Sequence, residues 1–296
     1  MNPRPVPAGR DQLSRAPDRM LWVNGTLARG PAAVLSAFDR GARNGEGLFE
    51  TIRVEGGAPR LWLRHLERLV LSCAELGFPV PPAPAVLRSA LAETLEANQL
   101  TDAAARITVT RGIPGRRPTP CGCWIEAEPL AGRLWLHGER TGAVATFSRI
   151  PFVPGFLGRH KTTSRLAYQI AFEEARAVGA DEALLVSPEG AVLEGSVTNV
   201  FAVFGGEVRT PPLSSGILPG VMRRTVLERC RALGIEPSEV RLAPADLMGA
   251  DEVFLTNALQ QVAPLRRLGE REWEAAPIAS RLGTAATPAD IVGTQS

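Results

Sequence analysis

Apolar positions fall into two rhythms along the chain. Phe49 to Val54 (FETIRV) and Arg106 to Arg111 (RITVTR) alternate apolar and polar residues, a period of two that predicts half-buried strands. Leu66, Leu69, Cys73 and Leu76 recur instead at helical spacing, with Gly77 placed to end that helix. Val86 to Asn98 reads as a second amphipathic helix, and Leu21-Trp22-Val23 before Asn24-Gly25 reads as a strand entering a hairpin turn. Further strands are expected at 123–127 and 133–137. Beyond residue 158 the pattern predicts a helix to about Val178 and strands over Asp181–Val186, Val192–Glu194 and Thr198–Phe204. A helix over 221–233, with Val226, Cys230 and Leu233 on one face, and a strand over Asp251–Thr256 complete the series.

Strands and helices thus mix in both halves, which implies an α/β protein of two domains, and a length of 296 residues suits that count. The stretch Ile150 to Gly158 (IPFVPGFLG) has two prolines, two glycines and little periodicity, so it reads as the linker. The expected division is a smaller N-terminal domain over 21–149, a linker over 150–158 and a larger C-terminal domain over 159–284. The tails, 1–20 and 285–296, are expected to be loose.

Composition narrows the function. The 33 basic and 31 acidic residues leave a net charge of +2, which argues against the basic surface of a nucleic-acid-binding protein. No apolar run approaches the ~20 residues of a membrane span, and the polar first 20 residues carry no apolar leader core. Cys121 and Cys123 are too close in sequence for a strain-free disulfide, and Cys73 and Cys230 sit on apolar helical stripes. This usage points to a reducing, cytoplasmic setting. His65, His137 and His160 form no metal-ligand pattern, so no metal is expected.

Lysine occurs once, at Lys161, so nearly every basic residue is an arginine. Arginine replaces lysine at little cost on a surface, but it cannot supply a neutral amine. Arg159 and Arg165 flank Lys161, and nearby positive charge favours the neutral amine that a Schiff-base lysine needs. Taken by itself the segment also fits a solvated lysine in a basic loop. Gly216-Ile217-Leu218-Pro219-Gly220 precedes a helix whose free N–H groups suit a phosphate, or form an ordinary cap. Glu194, in LEGSVTN, is either a hairpin surface residue or the carboxylate that keeps a pyridine nitrogen protonated. Arg53, Arg68, Arg106 and Arg111 lie on predicted elements, where most arginines are solvated.

Together these blocks resemble the class IV aminotransferases, the fold-type IV group of pyridoxal 5'-phosphate enzymes. The matching segments are Asp39-Arg40 with NGEGLFETIRV (44–54), HLERL (65–69), HKTTSRL (160–166), ADEALLV (180–186), LEGSVTNVF (193–201), SGILPGVMR (215–223) and ADEVFLTNALQQVAPL (250–265), in the family's order. The resemblance implies a two-domain fold like that of D-amino acid aminotransferase, a homodimer with sites at the domain and subunit interface, and small amino substrates. It places Lys161 as the lysine joined to the cofactor aldehyde, Glu194 opposite the pyridine nitrogen and Arg68 on the phosphate. Val221 and Met222 match backbone amides of the phosphate cup. Asn257 and Ala258 lie where a Gly-Thr pair holds phosphate in branched-chain enzymes, and Arg165 joins the cofactor residues. Arg53, Arg106, Arg111 and Asn44 fall on the substrate side. The tyrosine that many members carry five residues after the lysine is here Leu166, and the one tyrosine is Tyr168. The Lys161-x-x-x-Arg165-Leu166 and Asn257-Ala258-Leu259 patterns look most like aminodeoxychorismate lyases, which form 4-aminobenzoate and pyruvate for folate synthesis. The alternative within the family is an aminotransferase for D- or branched-chain amino acids, and outside it a non-enzymatic binder of the same fold.

Overall fold

The structure, a computed structural model, describes residues 18–115, 120–136 and 141–285. The described chain separates into two compact units. The first runs to Arg60 and resumes over Leu66–Arg133; the second takes Leu61–His65 and everything from Leu134.

In the first unit, β1 (Met20–Val23), β2 (Thr26–Arg29), β3 (Gly47–Glu55), β4 (Ala58–Pro59), β5 (Ala103–Thr110) and β6 (Cys123–Pro129) form one sheet in the order β2-β1-β6-β5-β3-β4. Every pairing in it is antiparallel. The register sets two faces with different chemistry. Leu48, Ile52, Val54, Ala105, Ile107 and Ile125 share one face and are fully buried. Leu66, Leu69 and Cys73 of α2 (Trp62–Glu75) and Leu87, Leu91 and Leu95 of α3 (Pro84–Ala97) are buried with them, as the 3.6-residue spacing requires. Phe49, Thr51 and Arg53 point to the opposite face, across from Thr108, Arg106 and Ala104. The short α1 (Arg40–Asn44), absent from the apolar pattern, is capped by Asp39, whose carboxylate accepts from the Gly41 amide at 2.7 Å.

Among the described residues the second unit holds nine strands. These are β7 (Ala143–Phe147), β8 (Glu182–Val186), β9 (Val192–Gly195), β10 (Asn199–Phe204), β11 (Glu207–Thr210), β12 (Pro237–Glu239), β13 (Glu252–Asn257), β14 (Gln261–Leu268) and β15 (Arg271–Glu272). The path runs β12-β11-β10-β13-β14-β7-β8-β9, with β15 on β14. Both faces are covered. Phe201, Val203 and Phe254 pack under α5 (Val221–Ala232) and α7 (Pro277–Thr284), while Val200, Ala202, Val253 and Leu255 join Leu247 of α6 (Pro244–Gly249), Trp135 and Trp273 on the other side. α4 (Leu166–Ala177) covers β8 and β9 through Tyr168, Ala171 and Ala175. No helix among the described residues is long and apolar enough to cross a membrane.

Several expectations change. The chain passes to the second unit at Leu134, and the expected linker at 150–158 lies inside that unit, because β7 is hydrogen-bonded between β14 and β8. The strand expected at 133–137 is not formed by Leu134–Leu136, and His137 lies outside the described residues. Trp135 instead buries its side chain in the core while its amide donates to Gln260 Oε1 at 3.0 Å. The helix after Lys161 begins only at Leu166, and β7, β14 and α7 carry no sequence signal strong enough to be read. Of the tails, 1–17 and 286–296 lie outside the described residues.

Phe201 and Phe254 face each other across β10 and β13 without exposure, their rings stacked at 4.9 Å. Phe254→Ala is expected to cost about 3–5 kcal/mol, a transfer loss plus a cavity. Urea unfolding measures it, and a loss below about 1 kcal/mol would contradict this core assignment.

Candidate active site

The extended segment ahead of α4 carries Lys161, and the end of β9 carries Glu194; both belong to the second unit. Glu194 is buried, not a hairpin surface residue. Its Oε2 accepts from the Leu218 amide at 3.1 Å and from Asn199 Nδ2 at 3.3 Å, and its Oε1 meets the Tyr168 hydroxyl at 3.4 Å. Burial pushes its carboxyl up to about 7, while the Arg165 guanidinium, the Leu218 amide and the Lys161 ammonium pull it back toward the ionised form. Lys161 and Glu194 are therefore electrostatic neighbours.

Arg165 lies flat over the Tyr168 ring at 3.5 Å and donates to the Ser196 carbonyl at 3.1 Å. Phe152 meets the same ring edge-on at 4.5 Å. Desolvation and the Glu194 charge raise the Tyr168 hydroxyl, which therefore stays a donor. Tyr168, although seven residues past the lysine, reaches the Glu194 site, whereas Leu166 at the fifth position is 74% exposed.

A second group of residues on the same sheet is a candidate phosphate cradle. Asn199 and Thr256 are paired across β10 and β13 and point to the face that α5 covers. Asn199 Nδ2 also donates to the Leu218 carbonyl at 3.0 Å, and a Cβ on Gly220 would fall 2.0 Å from Asn199 Oδ1, so the approach to α5 needs glycine there. α5 starts at Val221 with no side chain capping its free amides. Beside it, the buried Thr256 Oγ1 has no hydrogen-bond partner. An uncapped helix start and an orphaned hydroxyl, with a lysine and a buried carboxylate in the same unit, fit a phosphorylated pyridine aldehyde. Leu61 packs on Val221 and Met222, and Arg64 donates to Thr225 Oγ1 at 3.0 Å and Glu228 Oε2 at 2.7 Å, bracing this helix from the start of α2.

Other expected residues have different local duties. Asn257 Oδ1 accepts from the Leu259 and Gln260 amides at 2.9 and 2.7 Å, and its Nδ2 faces the Val197 carbonyl at 3.3 Å. Asn257 thus shapes the turn that contains Ala258, which has only backbone groups to offer. In the first unit Arg68 forms a two-pronged pair with Glu50, at 2.8 and 2.6 Å, on the helix-covered side of the sheet. Arg53 and Arg106 share the opposite face, where Arg53 pairs with Glu55 at 2.7 Å and Arg106 lies over the Phe49 ring at 3.8 Å. Asn44 and Arg111 converge elsewhere, on Glu46, at 2.8 and 3.2 Å, and Arg111 also donates to the Leu76 carbonyl. The four proposed substrate residues therefore form two groups within their unit.

Sequence reasoning missed Asn199, Thr256, Arg64 and Glu182. Asn199 had a signal in LEGSVTN, five residues after Glu194; Arg64 and Glu182 look like ordinary surface charges until the fold buries their partners.

Residues 47–268 match the family model described as amino-transferase class IV. The chain is 33% identical to a provisionally named branched-chain-amino-acid aminotransferase of Methanocaldococcus jannaschii, covering 85% of this chain and 88% of that one. It is 31% identical to the aminodeoxychorismate lyase of Bacillus subtilis, covering 85% and 87%. Its structure is similar to a hypothetical aminotransferase of Mycobacterium tuberculosis in its pyridoxal-phosphate-bound form, with a TM-score of 0.78, 26% identity and coverage of 89% and 96%. The protein belongs to the class IV aminotransferase family. It has the α/β fold of the fold-type IV enzymes, and its cofactor is pyridoxal 5'-phosphate.

Two outcomes follow from burial. Arg68→Ala leaves Glu50, whose side chain is 1% exposed, without its fork, and is expected to cost about 3–5 kcal/mol in urea unfolding. A change within about 0.5 kcal/mol would show that the pair carries no stability. For Glu194, the folded carboxyl at about 7 lies above its ordinary value of 4.5, so the fold holds the proton more tightly than the unfolded chain. Its contribution is present below pH 4.5 and is lost as pH rises toward 7, a span on the order of 3 kcal/mol. Stability of the cofactor-free protein, measured against Glu194→Gln across that window, is expected to fall relative to the variant; parallel curves would contradict the assignment.

Proposed function

We propose that the protein is an aminodeoxychorismate lyase, converting 4-amino-4-deoxychorismate to 4-aminobenzoate and pyruvate in folate synthesis, as a homodimer. The observation that carries this reading is the pair after the lysine: Arg165 turns inward onto Tyr168 and Ser196 while Leu166 faces out, the Arg-Leu pattern of the lyases. The free cysteines suit a cytoplasmic setting, with burial pushing Cys73 and Cys123 up to about 12.

Pyridoxal phosphate, when bound, supplies an aldehyde that joins amines and a ring that takes up the electrons of a departing proton. Lys161 Nζ would hold the aldehyde carbon and, as a free amine, would take the proton from the substrate carbon that bears the amino group. Glu194 would hold a proton on the ring nitrogen, its orientation fixed by Asn199 and the Leu218 amide. The Val221 and Met222 amides and the Thr256 hydroxyl would hold the phosphate. Arg53 and Arg106, on one sheet face, receive substrate carboxylates; Arg111 and Asn44 order the Glu46 segment beside them in sequence.

The second reading is an aminotransferase for D- or branched-chain amino acids, favoured by the likeness to the Methanocaldococcus jannaschii protein. A keto-acid acceptor separates the two. The lyase reading expects 4-aminobenzoate and pyruvate from aminodeoxychorismate with no acceptor present. No such product, together with turnover of L-leucine or D-alanine that requires 2-oxoglutarate, would establish the aminotransferase. Under either reading Lys161→Arg keeps the fold but loses the near-visible absorption of the loaded enzyme, and activity falls at least about a thousandfold. An unchanged spectrum and rate would remove Lys161 from the mechanism.

A further inference from the structure

Glu182 is a fully buried carboxylate whose five hydrogen bonds include none from a cation. Oε1 accepts from the Ala183 amide at 2.8 Å, from the Ser196 amide at 2.9 Å and from the Ser196 hydroxyl. Oε2 accepts from the Val197 amide at 3.1 Å and Thr198 Oγ1 at 2.9 Å. Four of these five donors come from Ser196, Val197 and Thr198, the turn that links Glu194 on β9 to Asn199 on β10. The turn closes through the Gly195 amide and the Thr198 carbonyl at 2.7 Å. A Cβ on Gly195 would fall 2.1 Å from Thr198 Oγ1 and 2.7 Å from Glu182 Oε2, so only glycine lets the carboxylate enter. Arg165 grips the Ser196 carbonyl and Asn257 the Val197 carbonyl from outside the turn.

Burying a carboxylate without a counter-cation is expensive, and packing alone could fill the space with apolar atoms at lower cost. What the carboxylate adds is geometry. Its two oxygens offer about four acceptor sites in one plane, enough to gather four donors of the turn at one point. A neutral amide cannot do this, because its NH2 would oppose the Val197 N–H. The turn in turn sets how the carboxylate of Glu194 and the amide of Asn199 meet.

We propose that Glu182 is a positioning residue for the reaction: through the 196–198 turn it holds Glu194 and Asn199 in register with the cofactor's ring nitrogen. This rests on the reading of Glu194 given above. Glu182 touches neither substrate nor cofactor and acts only through the turn.

The test uses the cofactor-saturated enzyme and three variants: Glu182→Gln, Thr198→Val, which removes one donor from the grip, and Glu194→Gln as the reference. Turnover is followed with the substrate identified by the acceptor assay. Glu182→Gln is expected to bind cofactor through Lys161, to lower kcat about ten- to a hundredfold with KM within about twofold, and to move the pH titration of the near-visible band in the direction of Glu194→Gln. Thr198→Val is expected to move both readouts the same way by about a few-fold. If only the melting temperature falls, while kcat and the band titration match wild type, Glu182 is structural and the proposal is overturned. Should Glu182→Gln fail to fold, Thr198→Val decides by the same readouts. If Glu194→Gln is itself silent, the reading of Glu194 fails, and the role of Glu182 falls with it.

Discussion

The site depends on one buried carboxylate held where it can be neither solvated nor fully neutralised. Glu194 is buried at the end of β9, with hydrogen-bond partners from β10, the 216–220 loop and α4, the helix that follows Lys161. Burial drives it toward the protonated form, and Arg165 and Lys161 oppose that drive. The result is a group poised near neutrality, which a cationic ring nitrogen would tip to the anion. The elements that place it are the ones the family's sequence blocks encode, so the blocks are better understood as parts of one electrostatic arrangement than as separate motifs.

A second buried carboxylate organises the first unit. Glu50 and Arg68 neutralise each other between the sheet and α2, and this fixes which way the helix presents its polar side. The alternation of β3 then sends Arg53 to the opposite face. An arginine-rich sequence thus sorts its cations by strand parity: one cation becomes a buried structural partner, and others stand on a half-buried face where anions can be met.

Sequence periodicity found the elements whose cores are regular. α2 and α3 were legible because each buries one face and leaves the other wet, and β3 because its second half alternates between buried and half-buried positions. β7 and β14 were not: their burial alternates, but the inward positions of β7 are small alanines, and β14 carries Pro264 and two arginines, which leaves little apolar rhythm to read. The linker reading failed for a related reason: prolines and glycines at 150–158 mark irregular backbone but not a change of unit, which is decided by where β7 finds its partners. For the site, Lys161 stood out through its rarity and Glu194 through the motif around it. Thr256 and Glu182 had no such signal. A threonine in a strand and a glutamate beside an aspartate are common, and their meaning comes only from burial and from donors far away in sequence.

On this arrangement Glu194 meets the ring nitrogen of the bound cofactor. A crystal structure of the protein loaded with pyridoxal phosphate tests it directly. Expected are a covalent link to Lys161 Nζ, phosphate oxygens on the Val221 and Met222 amides and Thr256 Oγ1, and a Glu194 oxygen about 2.6–3.0 Å from the ring nitrogen. A ring nitrogen facing solvent or another side chain, with Glu194 still closed on Leu218 and Asn199, would contradict it.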